Sequence, residues 1–150
     1  MIMSCMTKFY VGTYIVHHFE IVPFLFFKVC LVVDKVFDIP SKIIHIPKGK
    51  DITKHLPAIR NHFESLGSPI MMGGDQDASS KGVFGVTSSR NGKDFLLIVD
   101  PHYYGKDLKD FSQLYKDGWV QWKPVDEFMH SSFYNLCLPQ CPADGAAATV

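Results

Sequence analysis

Five apolar residues in unbroken succession, Phe95 to Val99, are bounded on both sides by turn-forming residues. A short continuous run of this kind predicts a buried strand. Upstream, Val83, Phe84 and Val86 predict a second strand, and the segment between the two carries Asn91-Gly92. That dipeptide tolerates the positive φ that tight hairpin turns require, so an antiparallel pair is expected at the heart of the domain.

Helical spacing governs other stretches. Val29, Leu31, Val32, Val36 and Phe37 suit a helix ended by Pro40, and Ile43, Ile44 and Ile46 then suggest a strand closed by Pro47 and Gly49. Leu56, Ile59, Phe63 and Leu66 recur at three and four residues, with Pro57 expected in the first turn and Gly67 just past the end. Ser68 to Met72 read as a strand, and Gly73-Gly74 as a tight turn out of it. Asp107 to Lys116 places Leu108, Phe111, Leu114 and Tyr115 at helical spacing, with Gly118 as the stop. Trp119, Val120 and Trp122 predict a further strand, and residues 133–138, FYNLCL, the last one. Residues 141–150 are expected to be a flexible tail.

Residues 1–28 break the pattern. They are apolar and aromatic but keep neither period for long. Only Lys8 precedes the apolar part and no small-residue cleavage site follows, so a signal peptide is not expected. His17, His18, Glu20, Pro23 and Lys28 interrupt any window of about 20 residues, which argues against membrane insertion.

Composition narrows the field modestly. The 150 residues suit one domain with a single core. A formal net charge of zero leaves no electrostatic footprint for nucleic acid. Four scattered cysteines form neither a paired metal motif nor a disulfide framework, which points to a reduced, intracellular protein. Cys30 and Cys137 are expected inside the fold, and Cys141, beyond the last strand, exposed. His55 and His62 lack ligand-type spacing and read as surface residues. Asp75 and Asp77 begin no calcium loop. No metal and no cofactor is called for.

The candidate chemistry lies where the central strand ends, at Asp100-Pro101-His102. If the strand persists for two more residues, its period puts Asp100 and His102 on one face. A carboxylate beside an imidazole fixes the ring tautomer and stabilises the protonated ring, the pairing that a nucleophilic cysteine or serine requires. Pro101 cannot donate to the ladder, so pairing should fail near this point.

The strings GSPIMMGGDQDASSKGVFGV, LLIVDPHYYG, DGWVQWKPV and SFYNLCLPQ follow one another between about Val29 and Gln140. In this order and spacing they resemble the Ufm-specific proteases, cysteine proteases of the ubiquitin-fold modifier. The GGDQDASSK form is more like the smaller family member. The resemblance implies an α+β, papain-like fold, a mostly antiparallel sheet of about five strands with packed helices. It implies that Asp100 and His102 are the catalytic acid and histidine. The partners it implies are the modifier precursor, cut after its terminal glycine, and lysine conjugates of the modifier. The lack of a membrane signal favours the cytoplasm.

The resemblance covers residues 29–140. Family members carry their nucleophile upstream, in a Gly-Cys-Gly-Trp-Arg type motif preceded by an oxyanion tyrosine, and no such string occurs here. Residues 1–28 stand in its place, so an N-terminally incomplete domain is expected. Cys5 has the right order along the chain, but Ser4, Met6, Thr7 and Lys8 are not the motif. No nucleophile and no oxyanion tyrosine is therefore assigned. The alternatives are a non-catalytic form that binds the modifier without cutting it, a truncated gene product, and an autophagin-type protease, which also uses an Asp-Pro-His box.

Overall fold

The computed structural model of the protein describes residues 22–76, 80–103 and 112–141. Its elements run α1 (Val22–Phe37), β1 (Ser41–Ile46), α2 (Ile52–Ser65), β2 (Ile70–Gly74), β3 (Lys81–Ser88), β4 (Asp94–Val99), α3 (Ser112–Lys116), β5 (Val120–Pro124) and β6 (Tyr134–Pro139). The strands form one antiparallel sheet in the order β1-β6-β2-β3-β4-β5. The sheet has six strands where about five were expected, and all six stretches read as strands in the sequence take part in it, with β1 at the edge beside β6.

Strand alternation divides the core in two. Ile70 and Met72 of β2, Leu96 and Ile98 of β4, and Leu136 and Leu138 of β6 share one cluster with Ile52, Leu56 and Ile59 of α2. The intervening Met71 and Cys137 belong to a second cluster with Cys30 and Val33 of α1. The two helices therefore cover opposite faces of the sheet.

The expected hairpin is present. β3 and β4 pair around Asn91-Gly92, where Gly92 has φ +81° and the Ser89 N–H bonds the Lys93 carbonyl at 2.8 Å. Pro57 departs from expectation. It sits in the interior of α2, because the apolar period extends back to Ile52, four residues before Leu56 and fully buried. Gly67, at φ +68°, does close the helix, its N–H reaching the His62 carbonyl.

Gly73 and Gly74 are not a turn. Both lie in β2, paired with Asn135 and Tyr134 of β6. A Cβ on Gly74 would stand 3.0 Å from the Tyr134 ring and the Phe133 carbonyl oxygen, so the missing side chain makes room for the neighbouring strand. Of the helix expected over 107–116, residues 112–116 are helical, and Leu108 and Phe111 lie outside the described residues. Cys5, Asp77 and the terminal segment beyond Cys141 also lie outside them.

His62 is a further correction: it is 4% exposed rather than a surface residue. It lies three residues beyond Ile59, at the flank of the buried face. Its Nε2 is 2.9 Å from the Ser68 carbonyl oxygen and 3.1 Å from Ser68 Oγ, which donates in turn to the Pro139 carbonyl. Burial pulls the imidazole below its ordinary range, only partly offset by the bond to Ser68. The native ring is therefore neutral where the unfolded one starts to take up a proton. Its contribution is fully present above the unfolded pKa of about 6.5 and is lost as pH falls through the lower folded value. Urea midpoints measured between pH 8 and pH 5 are expected to drop on the acid side, and His62→Gln to flatten that drop.

Candidate active site

β4 ends at Val99, one residue before the carboxylate of interest. The Asp100 N–H still reaches across to the Trp119 carbonyl at 2.8 Å, extending the β4–β5 pairing by one bond. Pro101 then interrupts the ladder, having no N–H to offer, and residues 101–102 form a turn. Asp100 closes that turn on itself: its Oδ1 accepts the His102 backbone N–H at 3.0 Å. The same oxygen lies 2.6 Å from His102 Nδ1.

The two residues thus meet, but not because a strand continues. The turn folds the imidazole back onto a carboxylate already held by its own backbone bond. A carboxylate only accepts, so the Nδ1 facing it carries the proton and the neutral ring keeps its lone pair on Nε2. Both side chains are about a quarter exposed, so the pair is reachable yet partly shielded from water. Beside it Tyr103 packs edge-on against Trp119, ring centroids 5.6 Å apart. Sequence reasoning had no means of linking Trp119 to Asp100, since the contact is made by a backbone carbonyl from another strand.

The described cysteines lie elsewhere. Cys30 donates its thiol to Cys137 at 2.7 Å, and Cys137 sits on β6. Strands β2 and β3 separate β6 from β4, a distance of roughly 14 Å at the usual strand spacing. Cys141 is half-buried against the same cluster, not exposed as expected. An open groove of about 290 Å³, lined by Arg60, Phe63, Glu64, Phe84, Gly85, Val86 and Trp122, includes neither Asp100 nor His102.

Asp75 has a structural role. Its Oδ1 accepts the Gln76 N–H at 2.8 Å, the Phe133 N–H at 3.2 Å and the Ser132 hydroxyl, clasping the end of β2 to the loop before β6. The Ser132 bond, first among these, holds the carboxyl below its usual range. Among the described residues no three His, Cys, Asp or Glu side chains converge as a metal site, and no helix is long and apolar enough to cross a membrane.

An antiparallel sheet clasped between helices, with an Asp-Pro-His turn at the end of the strand next to one edge, is a papain-like α+β arrangement. It matches the crystal structure of UfSP from C. elegans with a TM-score of 0.68 and 28% identity, over 77% of this chain and 22% of that one. The sequence profile of peptidase family C78 matches residues 27–137, and the chain belongs to that family. It is 38% identical over 99 residues to mouse Ufm1-specific protease 1, covering 65% of this chain and 45% of the relative. To human Ufm1-specific protease 2 it is 37% identical over 116 residues, 77% of this chain and 24% of the relative. The chain thus spans less than half the length of these curated relatives, and the two identities do not separate one type from the other.

Proposed function

We propose that this chain recognises the ubiquitin-fold modifier and carries the acid–base half of a Ufm1-specific thiol protease. The observation that carries the reading is the 2.6 Å contact between His102 Nδ1 and Asp100 Oδ1 in a family C78 chain. In this role His102 takes a thiol proton through Nε2 and then delivers it to the departing amine. Asp100 orients the ring and stabilises the imidazolium that forms between the two steps. The bond addressed is the one after the modifier's terminal glycine, in the precursor or in lysine conjugates. Free thiols suit a cytoplasmic setting, where disulfides are rare.

A second reading, binding without cutting, is favoured by the positions of the cysteines. Cys30, Cys137 and Cys141 all belong to the cluster under α1, across the sheet order from His102. Binding and bond cleavage draw on different contacts, so recognition does not need the nucleophile. Incubation of the purified 150-residue chain with a modifier bearing a C-terminal electrophile tests both readings. The expected outcome is a non-covalent complex and no adduct on any of the three cysteines. An adduct that disappears on Cys5→Ala would instead establish a complete protease.

A further inference from the structure

Cys30 and Cys137 are 107 residues apart in sequence, and their sulfurs are 2.7 Å apart in space. Both are free thiols, 6% and 0% exposed, one on α1 and the other on β6. A buried free cysteine is ordinarily core filling. Core atoms, however, settle about 3.5–4.0 Å apart, whereas a disulfide needs about 2.05 Å. The Cys30–Cys137 gap lies between these and closes with roughly 0.7 Å of sulfur movement.

The surroundings make the pair asymmetric. Cys30 donates to Cys137, which lowers the Cys137 thiol from its ordinary range, while the same bond and burial push Cys30 far up. The Ser41 hydroxyl, buried and with no other hydrogen-bond partner among the described residues, also faces Cys137 and favours its thiolate. The contact thus favours losing the proton at Cys137 rather than at Cys30, whose sulfur lies against it.

We propose that Cys30 and Cys137 are a redox site: a thiol pair that a peroxide converts into a reversible disulfide fastening helix α1 to strand β6. The Cys137 thiolate attacks the O–O bond of hydrogen peroxide, forming a sulfenic acid and releasing hydroxide, which is protonated to water. The Cys30 sulfur then attacks the sulfenic sulfur, the S–O bond breaks, and hydroxide leaves with the Cys30 proton as a second water. Two thiols and one peroxide become one disulfide and two waters. Peroxide reaches the buried pair through local opening of α1. The site is distinct from the Asp100–His102 pair, with β2 and β3 lying between.

The test is to treat the full chain with hydrogen peroxide, denature it, and map its four cysteines by alkylation and peptide mass. The expected result is loss of two thiols, one cross-linked peptide joining Cys30 to Cys137, and recovery of both thiols with dithiothreitol. The closed loop exceeds 100 residues, so the oxidised chain should melt about 10 °C higher than the reduced one. Cys141→Ser, which alters only a half-buried position beyond the last strand, should cross-link as the parent does. Sulfinic acid at either buried cysteine, a cross-link to Cys5 or Cys141, or loss of the cross-link in Cys141→Ser would each overturn the proposal.

Discussion

Asp100→Asn is expected to leave the fold intact and to release the His102 ring from its single tautomer. The carboxylate accepts two bonds from one residue, the His102 backbone N–H at 3.0 Å and Nδ1 at 2.6 Å. A hydrogen bond to an ionised group contributes about 1.5–3 kcal/mol, which corresponds to roughly a 10- to 100-fold preference for the proton on Nδ1. An amide keeps the shape but not the charge, and its NH2 can turn toward the ring and demand the opposite tautomer. Long-range proton–nitrogen spectra of the labelled chain, recorded with the ring neutral, report this directly. The parent should show Nδ1 protonated and Nε2 bare, and the variant a mixture or a reversal.

Gly49→Ala should cost more stability than a methyl added at Gly74, Gly82, Gly85, Gly92 or Gly118. A Cβ there would lie 2.2 Å from the Met129 carbonyl oxygen and 2.9 Å from the Tyr134 ring. The nearest obstacle is backbone, held by the Gly49 N–H bond to the Ser132 carbonyl at 2.8 Å and by the Ser132–Met129 bond, so it cannot step aside cheaply. The expected loss is about 3 kcal/mol, or roughly 10 °C in Tm for a chain of this size. Gly92→Ala is the contrasting case. Nothing lies within 4 Å of its Cβ, and only the φ of +81° opposes it, at a cost of about 1 kcal/mol. Paired thermal melts check the ranking.

Gly49 also shows where sequence reading stops. Beside Pro47 it looks like the end of a strand, and nothing local says that the 129–132 loop crosses it. Gly73-Gly74 misleads in the same way: the dipeptide has the composition of a turn, yet it serves the approach of Tyr134 from β6. The β3–β4 hairpin was legible because its strand pattern and its turn chemistry agree within a dozen or so residues. Helix α2 was legible by period, but its start was misplaced because Pro57 drew attention from Ile52.

Asp100 and His102 were readable as a pair, though for a different reason than the one that holds. Alternation along a strand would have sufficed, whereas the structure uses a turn closed by the aspartate itself. His62 and the Cys30–Cys137 contact were not readable. The first depends on which flank of α2 the sheet covers, and the second on two segments that share nothing in sequence.

The claim that Asp100 and His102 serve the modifier's C-terminal tail is tested most directly by titrating the nitrogen-labelled chain with intact ubiquitin-fold modifier. The account predicts shifts in the signals of Asp100, His102, Tyr103 and Trp119, and their disappearance when the modifier's terminal glycine tail is removed. Binding that leaves His102 unmoved, or no binding at all, would contradict it.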